Sequence, residues 1–280
     1  MVRKFILFSP FFLLLAGFVQ PEEGRPFGHA PQGITGPDTL FYIFAGHTYD
    51  WQSGGVETDP RLEELDYSRF DAVMLGGDVC SEAFQDYRTV EYIDNLFDLG
   101  NAHTYYVMGN HDARNENLEW YTEFTGRKTY FTQYSAGITV VVLNTTLNPG
   151  DCERLDAQFE MLQNVCDTIQ ASSHLLILQH HGTWKDVPGL PSSPWDYANW
   201  PLLHFNTTCT TWPSTYATTV YPLLQQVQAR GVQVVNVMGD GGVRTKSVEM
   251  TTPDGIHYLS SGINNSKFAN DSLALDTVPK

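Results

Sequence analysis

The sequence predicts an α/β domain built in layers, and two observations support this class. Short apolar runs, rich in β-branched and aromatic residues, alternate with amphipathic stretches between residues 40 and 239. Such alternation is typical of helices that cover a largely parallel sheet. The 280-residue chain, with 42% hydrophobic and 17% charged residues, is also long enough to bury a large core.

Each predicted strand is a short apolar run that ends near a glycine or a polar residue. Strands are expected at 40–46, 70–77, 104–109, 138–144, 174–179 and 232–239. Helices are expected near 86–99, 115–124, 153–170 and 216–230. Asp151 is expected to cap the start of the third helix, and Gly231 to follow the end of the fourth. Residues 247–262 are predicted to form a hairpin around the Pro-Asp-Gly sequence at 253–255.

The N-terminal residues are predicted to lie outside the fold. Residues 1–20 combine a basic start with the apolar run FILFSPFFLLLAGFV, which is typical of a secretory signal peptide; an uncleaved membrane anchor is the alternative. The Pro- and Gly-rich residues 21–38 are expected to form a linker, and residues 39–280 a single domain. The protein is therefore expected to be secreted or periplasmic, without stable membrane insertion.

One long segment interrupts the alternation of strands and helices. Residues 182–215 contain five prolines and four tryptophans and have neither helical nor strand periodicity. Irregular segments of this length in compact domains are often functional loops. We expect a cap loop whose tryptophans either cover a substrate or pack into a small core of their own.

The charge balance and the cysteines exclude two classes of function. With 32 acidic and 16 basic residues, the chain has a formal net charge of −16, which argues against nucleic-acid binding. None of the four cysteines forms a C-x-x-C pair, which excludes a zinc ribbon. Cys152 and Cys166 are expected about 21 Å apart along one helix, too far for a disulfide, with Cys166 in the core. Pairing through Cys209 stays open.

Polar residues follow most of the predicted strands. The carboxyl ends of parallel strands line the ligand crevice in open α/β sheets, so we expect these residues to lie close together. Histidine, aspartate and asparagine are the ligands of divalent-metal hydrolytic sites. The residues are His47, Asp50, Asp78, Asn110, His111, Asp112, His180, His181 and Asp240.

Three of these strand ends resemble the motifs of calcineurin-like metallophosphoesterases. They read GGDVC, GNHDAR and LQHHG, and the resemblance extends over residues 40–262. It implies a four-layer α/β/β/α sandwich and the hydrolysis of a small phosphomonoester or phosphodiester by a metal-activated water. It also implies one or two divalent cations per chain, and the sequence does not distinguish Mn, Fe, Zn, Mg and Ca.

The resemblance assigns metal-binding roles to four residues. Asp78 is implied to bridge two metals, and Asn110 and His180 to bind the second metal, with His181 beside them. Three further residues are implied to act on the substrate or to support the site. His111 would hydrogen-bond the phosphoryl oxygen or protonate the leaving group, Asp112 would orient its neighbours, and Arg114 would pair with phosphate.

The chain departs from the family pattern at the first and last motifs. Ala45-Gly46-His47 stands where the family has D-x-H, and Asp240 lies where the family has the first histidine of G-H-x-H. The first metal would keep only His47 and Asp78 as ligands, unless Asp50 substitutes for the missing aspartate. Asp240 would supply an oxygen ligand to the second metal. Two alternatives stay open: a weak or inactive relative that binds a ligand outside the cytoplasm, and a hydrolase of a non-phosphate ester or amide.

Overall fold

The structure is a computed structural model that describes residues 40–114, 117–184, 186–191, 216–241 and 246–262. The expected signal peptide, the linker and most of the cap loop lie outside the described residues. No helix within the described ranges is long and apolar enough to cross a membrane.

The first sheet is parallel and has three strands in the order β1-β2-β3. The strands are β1 (Tyr42–Ala45), β2 (Ala72–Leu75) and β3 (Thr104–Tyr106). The connections contain the helices α1 (Pro60–Glu63) and α2 (Tyr87–Phe97), with Asp86 capping α2 through a hydrogen bond from the Arg88 amide. All three strands end at the same edge, which is the edge where the predicted site lies.

The second sheet is mixed and has six strands in the order β4-β5-β6-β7-β9-β8. Strands β5, β6, β7 and β9 are parallel, and the edge strands β4 and β8 pair antiparallel to their neighbours. The strands are β4 (Phe131–Ser135), β5 (Ile138–Val142), β6 (His174–Gln179), β7 (Gln233–Met238), β8 (Lys246–Thr251) and β9 (His257–Gly262).

The two sheets pack face to face between helices. Phe44 and Met74 of the small sheet meet Val140 and Leu176 of the large sheet in one apolar cluster. The opposite face of each sheet packs on helices, because successive strand residues point to opposite faces. The other helices are α3 (Leu118–Thr125), α4 (Cys152–Thr168), α5 (Tyr216–Thr219) and α6 (Tyr221–Ala229). This is the predicted four-layer α/β/β/α sandwich.

Most predicted elements are present with shorter bounds. Asp151 caps α4 by accepting from the Arg154 amide, and Gly231 follows α6 with a φ of 87°, as predicted. The predicted helix over 216–230 is two helices, because Pro222 lies in the first turn of α6 and cannot donate a backbone hydrogen bond. Strand β4 was not predicted, since its residues are half-buried or exposed and form no apolar run.

The cysteines agree with the expectation that Cys152 and Cys166 do not pair. Cys166 is free and packs in the core beside Phe159 and Leu162, and Cys80 is free and buried. Cys152 is disulfide-bonded. Cys209, through which pairing was left open, lies outside the described residues.

Candidate metal centre

Glycines at the strand ends bring the two sheets together at the site. A Cβ atom on Gly239, after β7, would lie 1.9 Å from the carbonyl oxygen of Gly76, after β2. Backbones approach this closely only where neither residue carries a side chain. The residues that follow β1, β2 and β3 therefore meet those that follow β6 and β7.

His180 is the buried centre of the cluster. Its Nδ1 lies 2.8 Å from the carbonyl oxygen of Gly76, which can only accept, so Nδ1 carries a proton. Its Nε2 lies 3.1 Å from Asn110 Oδ1 and 3.3 Å from Asp78 Oδ2. A neutral imidazole would thus present a lone pair to two oxygen atoms, and this repulsion is relieved only by a proton or a metal ion between them.

The electrostatics of His180 reflect the same demand for positive charge. Burial alone would lower its pKa, but the negative charge of Asp78 and the contact with it prevail and raise the pKa of His180 to about 10. In the absence of metal, a proton satisfies this position. A divalent cation would supply more charge at the same place, so the residues present fit a metal ion.

Asp78 presents one carboxylate oxygen to both halves of the site. Its Oδ1 accepts a hydrogen bond from the His111 amide at 2.8 Å. Its Oδ2 is buried and lies 3.3 Å from His180 Nε2 and 3.6 Å from His47 Nε2. Burial favours the neutral acid, but the positive charge of His180 outweighs it and lowers the pKa of Asp78 below its usual range. The carboxylate is therefore ionised and available to a cation.

Asp240 and His181 complete the half of the site around His180. Ligand atoms of His180, His181 and Asp240 lie within 4.8 Å of one another, and this is the one such His/Cys/Asp/Glu group in the described ranges. His181 Nε2 is 3.1 Å from Asn110 Oδ1, and its Nδ1 is 3.0 Å from Thr145 Oγ1. Burial and then the charge of His180 lower the pKa of His181 to about 3, so its imidazole is neutral. Imidazole, carboxylate and amide oxygen together suit a divalent transition metal.

The half of the site around His47 is different. Its Nε2 lies 3.6 Å from Asp78 Oδ2 and 3.4 Å from the hydroxyl of the buried Tyr49. Burial lowers the pKa of His47 to about 4, so the ring is neutral. Asp50 uses Oδ1 to accept from the Gln52 amide at 2.8 Å and caps the short 3₁₀ helix Trp51–Ser53. This hydrogen bond gives Asp50 a role in capping the helix. The residue beside His47 is instead Tyr49, which belongs to none of the motifs.

His111 lies at the half-exposed side of the site. Its Nε2 is 3.2 Å from Arg114 Nη2, and a guanidinium only donates, so Nε2 accepts and Nδ1 donates to Ser81 Oγ at 3.2 Å. Burial is the main cause that lowers the pKa of His111, with Arg114 contributing. Arg114 also pairs with Glu82 at 3.4 Å and is 48% exposed. The imidazole is therefore neutral, with its acceptor nitrogen directed at the guanidinium.

Asp112 links the loops that follow β2 and β3 through hydrogen bonds to their backbone. It is fully buried, and its Oδ2 accepts from the amides of Asp78 and Gly109 at 2.8 and 2.9 Å. Its Oδ1 accepts from the Tyr106 hydroxyl at 3.0 Å. Burial and then the charge of Asp78 raise the pKa of Asp112, against the hydrogen bonds. These contacts orient Asp78 and do not reach a substrate.

A comparison with protein families agrees with this architecture. A family model described as calcineurin-like phosphoesterase matches residues 50–207. No curated protein matches the chain. One similar solved structure is titled "GAP50 the anchor in the inner membrane complex of Plasmodium", with 8% identity and a TM-score of 0.44. The match covers 72% of this chain and 64% of that chain, so this chain spans less than two thirds of that protein.

Proposed function

Because the chain belongs to the calcineurin-like phosphoesterase family, we propose that it hydrolyses a small phosphomonoester or phosphodiester with the help of a divalent cation. The cation would be held by Asp78, Asn110 and His180, with Asp240 and His181 beside them. When bound, such an ion activates a water molecule and neutralises charge on the phosphoryl oxygens.

The observation that carries this proposal is the convergence of three possible ligand atoms at His180: its own Nε2, Asp78 Oδ2 and Asn110 Oδ1. Its Nε2 lies 3.3 Å from the buried Asp78 Oδ2, and in metal-free protein this pair is held by a proton on Nε2. A buried and unsatisfied carboxylate oxygen costs several kcal/mol unless it is paired with positive charge. A divalent cation would supply positive charge to all three atoms at once, where a proton on His180 supplies less.

The residues around the cation would position the phosphoryl group. Arg114 is half-exposed, and among the described residues its guanidinium contacts Glu82 and His111, so it could turn toward a phosphoryl oxygen. This movement would release the Nε2 atom of His111. Ser81 Oγ could then donate to Nδ1, and the tautomer of His111 that carries its proton on Nε2 would donate to the leaving oxygen.

We also propose that the enzyme acts outside the cytoplasm. The support for this is the signal-peptide pattern of residues 1–20.

A second candidate function is ligand binding without efficient turnover. Ala45 replaces a family carboxylate, and the nearest acidic substitute, Asp50, caps a 3₁₀ helix instead. A centre with one cation lacks the clamp that two cations place on the attacking and leaving oxygens. This candidate predicts cation binding and phosphate binding, with little or no hydrolysis.

Metal content and hydrolysis, measured on the same samples, test both candidates. We would purify the wild type without chelator beside Asp78→Asn and the matched variant Asp50→Asn, which keeps an acceptor for the Gln52 amide. Aryl phosphomonoester and phosphodiester would be assayed with added Mn²⁺. We expect metal and hydrolysis in the wild type and in Asp50→Asn, and neither in Asp78→Asn. Metal without hydrolysis would favour the ligand-binding candidate, and a metal-free wild type would reject both.

A further inference from the structure

The phenol ring of Tyr49 lies inside the half of the site where the family binds its first metal. The residue is 2% exposed, and its hydroxyl is 3.4 Å from His47 Nε2. The ring centroid lies 4.6 Å from that of His47 and 5.3 Å from that of His111. Tyr49 therefore contacts both imidazoles of this half, although it belongs to none of the motifs.

The backbone around Tyr49 fixes the ring in this position. Tyr49 forms an isolated antiparallel bridge with Thr58, and the Asp50 amide donates to the Glu57 carbonyl at 2.8 Å. On the other side, the Thr48 amide donates to the carbonyl of Asp78 at 2.9 Å. The backbone that carries the ring is therefore fixed on both sides, and on one side it is bonded to Asp78.

Few ligand atoms are available to a cation at His47. Even a catalytic zinc ion takes three ligands from the protein and a fourth from water. Ala45 offers only a methyl group, the Oδ1 atom of Asp50 is used by the Gln52 amide, and Asp78 Oδ2 faces His180 as well. By contrast, a phenol hydroxyl donates to the accepting nitrogen of a neutral imidazole, and this pair needs no metal.

We propose that Tyr49 takes the place of the first metal: it holds His47 by a hydrogen bond, and the protein binds one divalent cation, at His180. This inference rests on the cation site of the proposed function and adds the number and position of the ions. Tyr49 is then a positioning residue, and His47 is not a metal ligand.

Counting bound Mn²⁺ on the full chain tests the inference without any activity. Titration calorimetry and elemental analysis after dialysis would compare the wild type with Tyr49→Phe, His47→Gln and His180→Gln. We expect one Mn²⁺ per chain in the first three and none in His180→Gln. Two ions in the wild type, with one lost in Tyr49→Phe or His47→Gln, would overturn the inference and leave the proposed function standing. No ion in folded wild type would remove both.

A second readout tests the hydrogen bond itself. In nuclear magnetic resonance spectra of the Zn²⁺-bound protein with isotope-labelled histidine, Tyr49→Phe should shift the Nε2 resonance of His47. The resonances of His180 should stay in place, because Tyr49→Phe keeps the ring and changes no contact of His180. An unchanged His47 resonance would overturn the role given to Tyr49.

Discussion

Replacing Gly239 with alanine should separate the two sheets and weaken the metal centre. The new Cβ would lie 1.9 Å from the Gly76 carbonyl oxygen and 2.7 Å from its Cα, and both are backbone atoms that no rotamer change can move. Ordinary contact requires about 3.4 Å, so the strand ends must part by about 1.5 Å. Forced overpacking of this kind typically costs 1–3 kcal/mol, and we expect the upper end, about 3 kcal/mol, because the obstacle is backbone.

Urea denaturation of Gly239→Ala beside a matched control measures this cost. Gly100→Ala is the control, since its Cβ would meet only the Phe124 carbonyl oxygen at 3.4 Å. The Gly76 carbonyl also accepts from His180 Nδ1, so Gly239→Ala should weaken Mn²⁺ binding, whereas Gly100→Ala should not. Equal stability and equal Mn²⁺ affinity in the two variants would refute the idea that this glycine contact builds the site.

Three further predictions concern the groups at the site. Asp112→Ala strands the amides of Asp78 and Gly109 without an acceptor and should lower the free energy of unfolding by about 3 kcal/mol in urea denaturation, against less than about 1 kcal/mol for the exposed cap variant Asp66→Ala. In chelated protein, the melting temperature should fall as the pH rises from about 6.5 to about 10, because folding raises the pKa of His180 and the protonated form is lost there. It should also fall as the pH drops below about 6.5, because folding lowers the pKa values of His47 and His181. His180→Gln should lose only the decrease above pH 6.5. His111→Gln should lower kcat by about 10²-fold or more at unchanged Mn²⁺ affinity, and an unchanged kcat would remove His111 from the reaction.

The strands and their polar ends were predictable because they depend on local pattern. The apolar run at 174–179, for example, forms β6. His180 and His181, which follow it, meet Asp240 at one edge of the sheet, as parallel topology requires. Strand β4 was missed because it is an edge strand with exposed and half-buried residues, and its pairing with β5 fixes it more than its composition does.

The His47 half of the site was harder to predict because its contacts depend on how a loop folds back. Asp50 is three residues from His47, but its carboxylate serves the local 3₁₀ helix. Tyr49 reaches His47 because the bridge to Thr58 turns its ring inward. The sequence signal was Tyr49 itself, two residues after His47, but the carboxylate of Asp50 is the more usual metal ligand and was therefore expected there.

The most direct test of the central claim is anomalous diffraction at the manganese absorption edge from crystals of the Mn²⁺-loaded protein. We predict one strong peak per chain, within ligand distance of Asp78, Asn110 and His180. A chain with no peak among these residues, or with its peak elsewhere, would contradict it.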